Sequence, residues 1–306
     1  QPLTPLSFLE RASDVFPDFV AIIHGSQRFT YREFYTRSKQ LASALSQHGM
    51  TRGSTVSTLF MNTPPMLEAH YGIPMCGAVI HAINTRLDPA TIAFQLDHAD
   101  SQILLFDQEL SSVIYEVLGL CKVKPLLVCY QDKQLDIKDS SQDTNLSSHK
   151  IVDYEKFIEV GDPDYQWLMP ENEWDAISVG YTSGTTGDPK GVVSHHRGAY
   201  LLAQGNALVA SMPKHSVYLW TLPMFHCNGW CFPWTLSAII ETHVCLRQVR
   251  AEPIWQSIKD HKISHLCGAP IVMSIILSME NQQDYQPEHQ VQFFTAAAPP
   301  PENVLK

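Results

Sequence analysis

Between Tyr181 and Gly191 the chain reads Tyr-Thr-Ser-Gly-Thr-Thr-Gly-Asp-Pro-Lys-Gly. Hydroxyl side chains and glycines crowd together, and Lys190 closes the run. Glycine accepts the dihedrals that turn backbone N–H groups inward and adds no Cβ bulk. The hydroxyls of Thr182, Ser183, Thr185 and Thr186 add donors, and Lys190 adds a positive charge. Such a bend has the chemistry of a polyphosphate cradle. Its spacing is not that of a Walker A loop, because Asp188 and Pro189 separate Gly187 from Lys190. A Ser/Thr/Gly-rich surface turn is the ordinary reading of such a stretch. The length of this run, with a strand-like segment before it and a helix-like one after it, argues for the cradle.

A second run, Pro223-Met224-Phe225-His226-Cys227-Asn228-Gly229-Trp230, follows it. A histidine in such a setting can donate towards a carboxylate while its ring packs on an acyl chain. Alone, a histidine among aromatics is more often a satisfied core residue. A third run, Ala296-Ala297-Ala298-Pro299, is weak by itself. Three other features receive structural readings. His195 and His196 are neighbours at a helix start and do not face one ligand. Cys227 and Cys231, with nothing cationic beside them, read as buried, unreactive thiols. Asp188 is expected to point to solvent in a Gly-Asp-Pro turn.

The elements that must position these runs alternate. Val20 to Ile23, Thr55 to Phe60, Val79 to Ile83, Gln102 to Phe106, Asp175 to Tyr181, Val217 to Leu222, Thr242 to Leu246, Ser264 to Cys267 and Val291 to Phe294 are strand-like. Thr30 and Glu33 form a capping box before a helix that ends near Gly49. Asp88-Pro89 opens another that runs towards His98. Met66 to Met75, His196 to about Ala210, Pro253 to His261 and Pro270 to Met279 are helix-like. This pace implies an α/β fold with crossover connections and mostly parallel sheets. Residues 131–150 are polar and lack aromatics, and they read as an exposed, mobile loop. Two lobes are expected, 1–165 and 166–306, the second carrying the phosphate loop.

The 306 residues suffice for one large α/β domain or two lobes. The formal net charge of -10 disfavours nucleic acid and anionic membrane as partners, but a local cradle can still act on a nucleotide. From His215 to Ile240 no Asp, Glu, Lys or Arg occurs. His226, Asn228, Gly229, Pro223 and Pro233 interrupt it, so a buried pocket wall fits better than a membrane span. The seven cysteines show no CxxC pairs and read as free thiols of a reducing compartment.

In order, the three runs resemble the adenylate-forming superfamily of acyl-CoA synthetases, luciferases and peptide-synthetase adenylation domains. The details of Ser194 to Gly198 and Pro223 to Trp230 look like plant acyl-activating enzymes. The resemblance implies layered, mostly parallel sheets flanked by helices, in the large N-terminal domain of such an enzyme. It implies that Thr182, Ser183, Gly184, Thr185, Thr186, Gly187, Asp188, Pro189 and Lys190 form the ATP site, with Mg²⁺ bridging phosphate oxygens. It places His226, Asn228, Gly229 and Trp230 at the carboxylate site. It places Ala297, Ala298 and Pro299 along the adenine and acyl pocket, where alanines stand in place of the usual glycines.

The implied activity is a carboxylate–CoA ligase acting on a short or medium fatty acid, or on an aromatic acid, in the cytoplasm or peroxisome. Alternatives are a non-catalytic nucleotide or acyl binder, or adenylation with a carrier-protein thiol or oxygen as acceptor. The family's Tyr-Gly-x-Thr-Glu segment, ribose-binding Asp and catalytic-lysine domain have no counterpart here. The chain is therefore expected to be an N-terminal portion, and none of its residues is nominated as a metal ligand.

Overall fold

The computed structural model describes residues 1–135, 150–182, 188–280, 284–285, 287–295 and 298–305. The chain opens with α1 (Leu6–Val15), the hairpin β1 (Val20–His24) and β2 (Gln27–Thr30), and α2 (Tyr31–Gln47). It continues with β3 (Thr55–Leu59), α3 (Pro64–Met75), β4 (Val79–Ala82), α4 (Pro89–His98), β5 (Ile103–Asp107) and α5 (Ser111–Leu120). Next come β6 (Leu126–Tyr130), β7 (Ile151–Asp153), α6 (Tyr154–Glu159), β8 (Ala176–Tyr181), β9 (Gly191–His195) and α7 (His196–Val209). Then follow β10 (Val217–Leu219), the single turn α8 (Cys227–Trp230), α9 (Phe232–Ala238), β11 (Thr242–Val244), α10 (Ala251–His261) and β12 (His265–Gly268). The last elements are α11 (Pro270–Leu277), β13 (Gln292–Thr295) and α12 (Glu302–Leu305).

Local chemistry sets the helix starts. Thr30 Oγ1 accepts from the Glu33 amide at 3.2 Å, and Glu33 Oε2 accepts from the Thr30 amide at 2.7 Å. The box thereby satisfies donors that the first turn leaves open. Asp88 does the same for α4, accepting from the Thr91 amide at 3.0 Å. Helix α3 is buried on every side, which fits its apolar run. Its one carboxylate, Glu68, is matched by Arg37 at 2.5 Å and the Tyr154 hydroxyl at 2.6 Å.

Two sheets result. One has seven strands in the order β7-β6-β5-β3-β4-β8-β9, parallel except for the β8–β9 pair. The other has six in the order β13-β12-β10-β11-β1-β2, parallel except for the β1–β2 hairpin. The sheets exchange strands across residue 165: β1 and β2 join the later strands, while β8 and β9 join the earlier ones. The main apolar core lies between them and includes Phe34, Tyr71, Trp220 and Trp234. Smaller clusters sit under α4 and α5 and against α10. The uncharged stretch 215–240 contributes α9, buried from Phe232 to Ser237. Among the described residues no helix is long and apolar enough to cross a membrane. Most of the polar segment 131–150 lies outside the described residues.

Candidate active site

The glycine-rich run is the connection of the β8–β9 hairpin. Tyr181 and Gly191 form its last register pair. Beyond them the Thr182 amide donates to the Lys190 carbonyl at 3.1 Å, and the Lys190 amide reaches Thr182 Oγ1 at 3.4 Å. Thr182 thus closes the neck of the bend. A short strand, β9, which the sequence reading did not include, follows the run directly, and the helix expected from His196 begins there as α7. Gly191 to Ser194 are exposed, and a continuous Val192-Val193 pair does not alternate as a half-buried strand does. Asp188 and Lys190 are both exposed, so Asp188 points to solvent as expected. Ser183, Gly184, Thr185, Thr186 and Gly187 lie outside the described residues. Below the neck, the Tyr181 hydroxyl meets His98 Nδ1 at 2.8 Å, tying β8 to α4.

The second run lies against the same strand. Asn228 is buried, and its Oδ1 stands 3.9 Å from where a side chain on Gly180 would begin. Its Nδ2 has no hydrogen-bond partner, an expensive state for a buried amide. Gly180 directly precedes Tyr181, so the fold brings this run beside the neck of the first. His226 is exposed, and its ring makes no hydrogen bond among the described residues. Gly229 is required where it is: its φ is +55°, and a Cβ would lie 3.0 Å from the Trp220 ring. Trp230 is half-buried, with its carbonyl turned to α7.

A cavity of about 280 Å³ is lined by Ser178, Ser194, His195, Cys227, Asn228 and Trp234. A hollow of about 740 Å³ lies between α1 and α7, and none of the nominated residues lines it. Cys227 is exposed, contrary to its reading as a buried thiol. The turn Cys227–Trp230 carries its side chain outward. Cys231 is buried, and burial together with the neighbouring Cys227 pushes its thiol up to about 12. His195 caps α7, accepting from the Gly198 amide at 2.9 Å. His196 contacts Thr4 Oγ1 at 2.9 Å, and burial lowers its pKa to about 4. Both rings therefore have structural partners. Ser178 and Ser194 line the cavity without any motif to mark them; only their alternating positions on β8 and β9 place them on one face.

The third run follows β13. Strands β10, β12 and β13 are parallel, so the segments after β10 and β13 leave the same edge of the sheet. Ligands of α/β sheets bind outside such carboxyl ends. Ala298 and Pro299 are exposed there, and Ala297 lies outside the described residues. Among the described residues no group of three His, Cys, Asp or Glu side chains is placed to hold a metal ion.

Residues 9–306 match the AMP-binding enzyme family. The chain is 45% identical to a peroxisomal acetate/butyrate–CoA ligase of Arabidopsis thaliana, over 99% of this chain and 54% of that protein. It is 43% identical to an acetate–CoA ligase of Humulus lupulus, again over 99% and 54%. The chain thus spans about half the length of the curated relatives it matches. Its fold is similar to the inhibitor-bound N-terminal domain of FACL13 from Mycobacterium tuberculosis. The TM-score is 0.83 at 21% identity, covering 99% of this chain and 72% of that one. It is also similar to an anthranilate CoA ligase in complex with anthranoyl-AMP, with a TM-score of 0.81 at 21% identity over 94% and 54% of the two chains. The family match covers all three runs and both sheets, and the chain belongs to the AMP-binding enzymes.

Proposed function

We propose that this chain carries the nucleotide- and acid-binding part of an ATP-dependent carboxylate–CoA ligase for a short aliphatic acid. The observation that carries this reading is the seat of Asn228 beside Gly180. It sets a buried, unsatisfied amide donor next to the neck of the Thr182–Lys190 bend. In this reading a carboxylate oxygen of the acid attacks the α-phosphorus of ATP. The bond to pyrophosphate breaks, and acyl-AMP forms. A coenzyme A thiolate then attacks the acyl carbon, and AMP leaves.

The barrier is the approach of two anions, so the protein's service is to position and neutralise them. The exposed Lys190 ammonium offsets phosphate charge, and the exposed Thr182 adds a hydroxyl at the neck of the bend. His226 and Asn228 present donors to the acid, while Trp234 and Cys231 give its alkyl part an apolar wall. Mg²⁺ enters with the nucleotide phosphates, and no described side chain is assigned to it. Relatives named for acetate, butyrate and 2-methylpropanoate support a short aliphatic acid over an aromatic one. Several are named peroxisomal, which supports that compartment over the cytoplasm.

The test is calorimetry of this chain with Mg-ATP, then with butyrate or benzoate added, and mass spectrometry of the products with and without coenzyme A. Binding of ATP, with butyrate preferred to benzoate, is the expected result. Failure to bind ATP at millimolar concentration would overturn the reading. A thioester formed when coenzyme A is added would identify that thiol as the acceptor.

A further inference from the structure

Cys227, Asn228, Gly229, Trp230 and Cys231 all take positive φ, at 43°, 46°, 55°, 51° and 63°. Glycine does so freely and asparagine more readily than most, but Cys227, Trp230 and Cys231 each bring Cβ too close to the following carbonyl oxygen. A left-handed turn of this length needs to be held from outside. Backbone bonds mark its ends: the Asn228 amide donates to the Phe225 carbonyl at 3.3 Å, the Cys231 amide to the Asn228 and Gly229 carbonyls, and the Trp234 and Thr235 amides to the Cys231 carbonyl at 3.1 and 2.9 Å. One side chain from another element fastens its exit. Asn206, on α7, donates from Nδ2 to the Trp230 carbonyl at 2.7 Å and to Thr235 Oγ1 at 3.3 Å. Thr235 Oγ1 donates in turn to the Cys231 carbonyl at 3.1 Å. Asn206 therefore grips the chain on both sides of Cys231.

We propose that Asn206 is a positioning residue, a latch that holds the left-handed turn and so fixes Asn228 against β8. This rests on the reading of Asn228 as a contact to the acid. Without the latch the turn relaxes towards right-handed geometry. Its side chains then rotate about the local axis, Asn228 leaves Gly180, and Cys231 loses its cover.

The cysteines report this without any activity. Cys227 is exposed and the other six are buried, so brief treatment of the native chain with iodoacetamide, mapped by mass spectrometry, labels Cys227. Asn206→Asp keeps the side-chain shape but removes the donor and turns an acceptor towards the Trp230 carbonyl. Leaving that carbonyl unpaired is expected to raise the Cys231 labelling rate by about tenfold or more, with Cys76 and Cys267 still protected. Thr235→Val removes the weaker partner and is expected to raise it by about threefold. Butyrate binding in the presence of ATP is expected to weaken about tenfold in Asn206→Asp, with ATP binding alone unchanged. An unreactive Cys231 in both variants overturns the latch. Labelling that spreads to Cys76 and Cys267 overturns it too, because the loss is then global. A relaxed turn with undiminished butyrate affinity overturns the positioning role. A wild-type chain that binds no butyrate refutes the proposed function separately, and the labelling pattern still decides the latch.

Discussion

Arg247 and Asp107 meet across the two sheets. Arg247 follows β11 in the six-stranded sheet, and Asp107 ends β5 in the seven-stranded one. Nη1 of Arg247 donates to Asp107 Oδ2 at 2.8 Å, and Nη2 pairs with Oδ1. The same guanidinium reaches Asp132 at 3.1 Å and Glu109 at 2.9 Å, while His24 Nε2 meets Asp132 at 2.8 Å. Burial works against charge on Asp132. The His24 and Gln134 hydrogen bonds and the Arg247 charge nevertheless hold its carboxyl below the usual range.

Removing this cation strands two buried carboxylates. Arg247→Met is expected to cost about 3–5 kcal/mol, because an uncompensated buried charge is worse than no pair at all. Urea unfolding measures it as a lower midpoint. Adding Asp107→Asn to the variant should restore part of the loss. An unchanged midpoint in Arg247→Met would show that the cluster contributes nothing to stability.

Stability should fall at both ends of the pH scale, for opposite reasons. Glu241 is wholly buried, and burial pushes its carboxyl up to about 8. Ser216 opposes the shift, yet neither carboxylate oxygen completes a hydrogen bond. The folded chain holds that proton more tightly than the unfolded one. Its stabilising effect is full below the ordinary glutamate range and is lost as pH rises through about 8. Burial lowers His70 and His81 to about 4 and His243 to about 3. Their contribution is full above about 6.5 and is lost as pH falls through the folded values. Glu241→Gln should therefore raise the melting temperature at pH 9 and leave it little changed at pH 4. Equal shifts at both pH values would contradict this.

Gly72 on α3 faces α2 so closely that a Cβ would stand 2.8 Å from both the Ser38 carbonyl and Leu41 Cδ2. A backbone carbonyl cannot step aside as a side chain can. Gly72→Ala is expected to cost about 1–3 kcal/mol by overpacking, despite alanine's better helix propensity. Thermal unfolding provides the check, and a stabilised variant would mean that the helices part without penalty.

On the proposed function, Lys190→Gln removes a phosphate-directed charge that no carboxylate pairs with among the described residues. ATP affinity should drop about tenfold, the loss of one charge-assisted contact. The effect should shrink as salt rises, since Lys190 is exposed. Calorimetry at two ionic strengths tests both parts. An ATP affinity equal to wild type would remove Lys190 from the site.

Much of the fold could be read locally. Thr30 with Glu33, and Asp88 before Pro89, specify helix starts by chemistry that needs no distant partner. Which sheet a strand joins is different: Val20 to Ile23 looks like any buried strand, and only packing against β11 assigns it. Strand β9 escaped because Val192 and Val193 show no alternation. At the site, the glycine-rich bend and the His226 run were visible as composition. Of the five left-handed residues only Gly229 and, more weakly, Asn228 carry a signal. The Trp230 and Cys231 carbonyls meet Asn206 of α7 and Thr235 of α9, distant partners that no local pattern announces. The exposure of Cys227 was hidden for the same reason.

The parallel pairing of Ile22 with His243 has a consequence for synthesis. The β1–β2 hairpin leaves the ribosome early, but its sheet cannot form until β11 emerges. At about 5–20 residues per second, that interval is on the order of ten seconds or more. Throughout it Ala21 and Ile22, fully buried in the finished protein, stay wet and open to a chaperone. Slow codons before β11 should lengthen that window and lower the soluble yield.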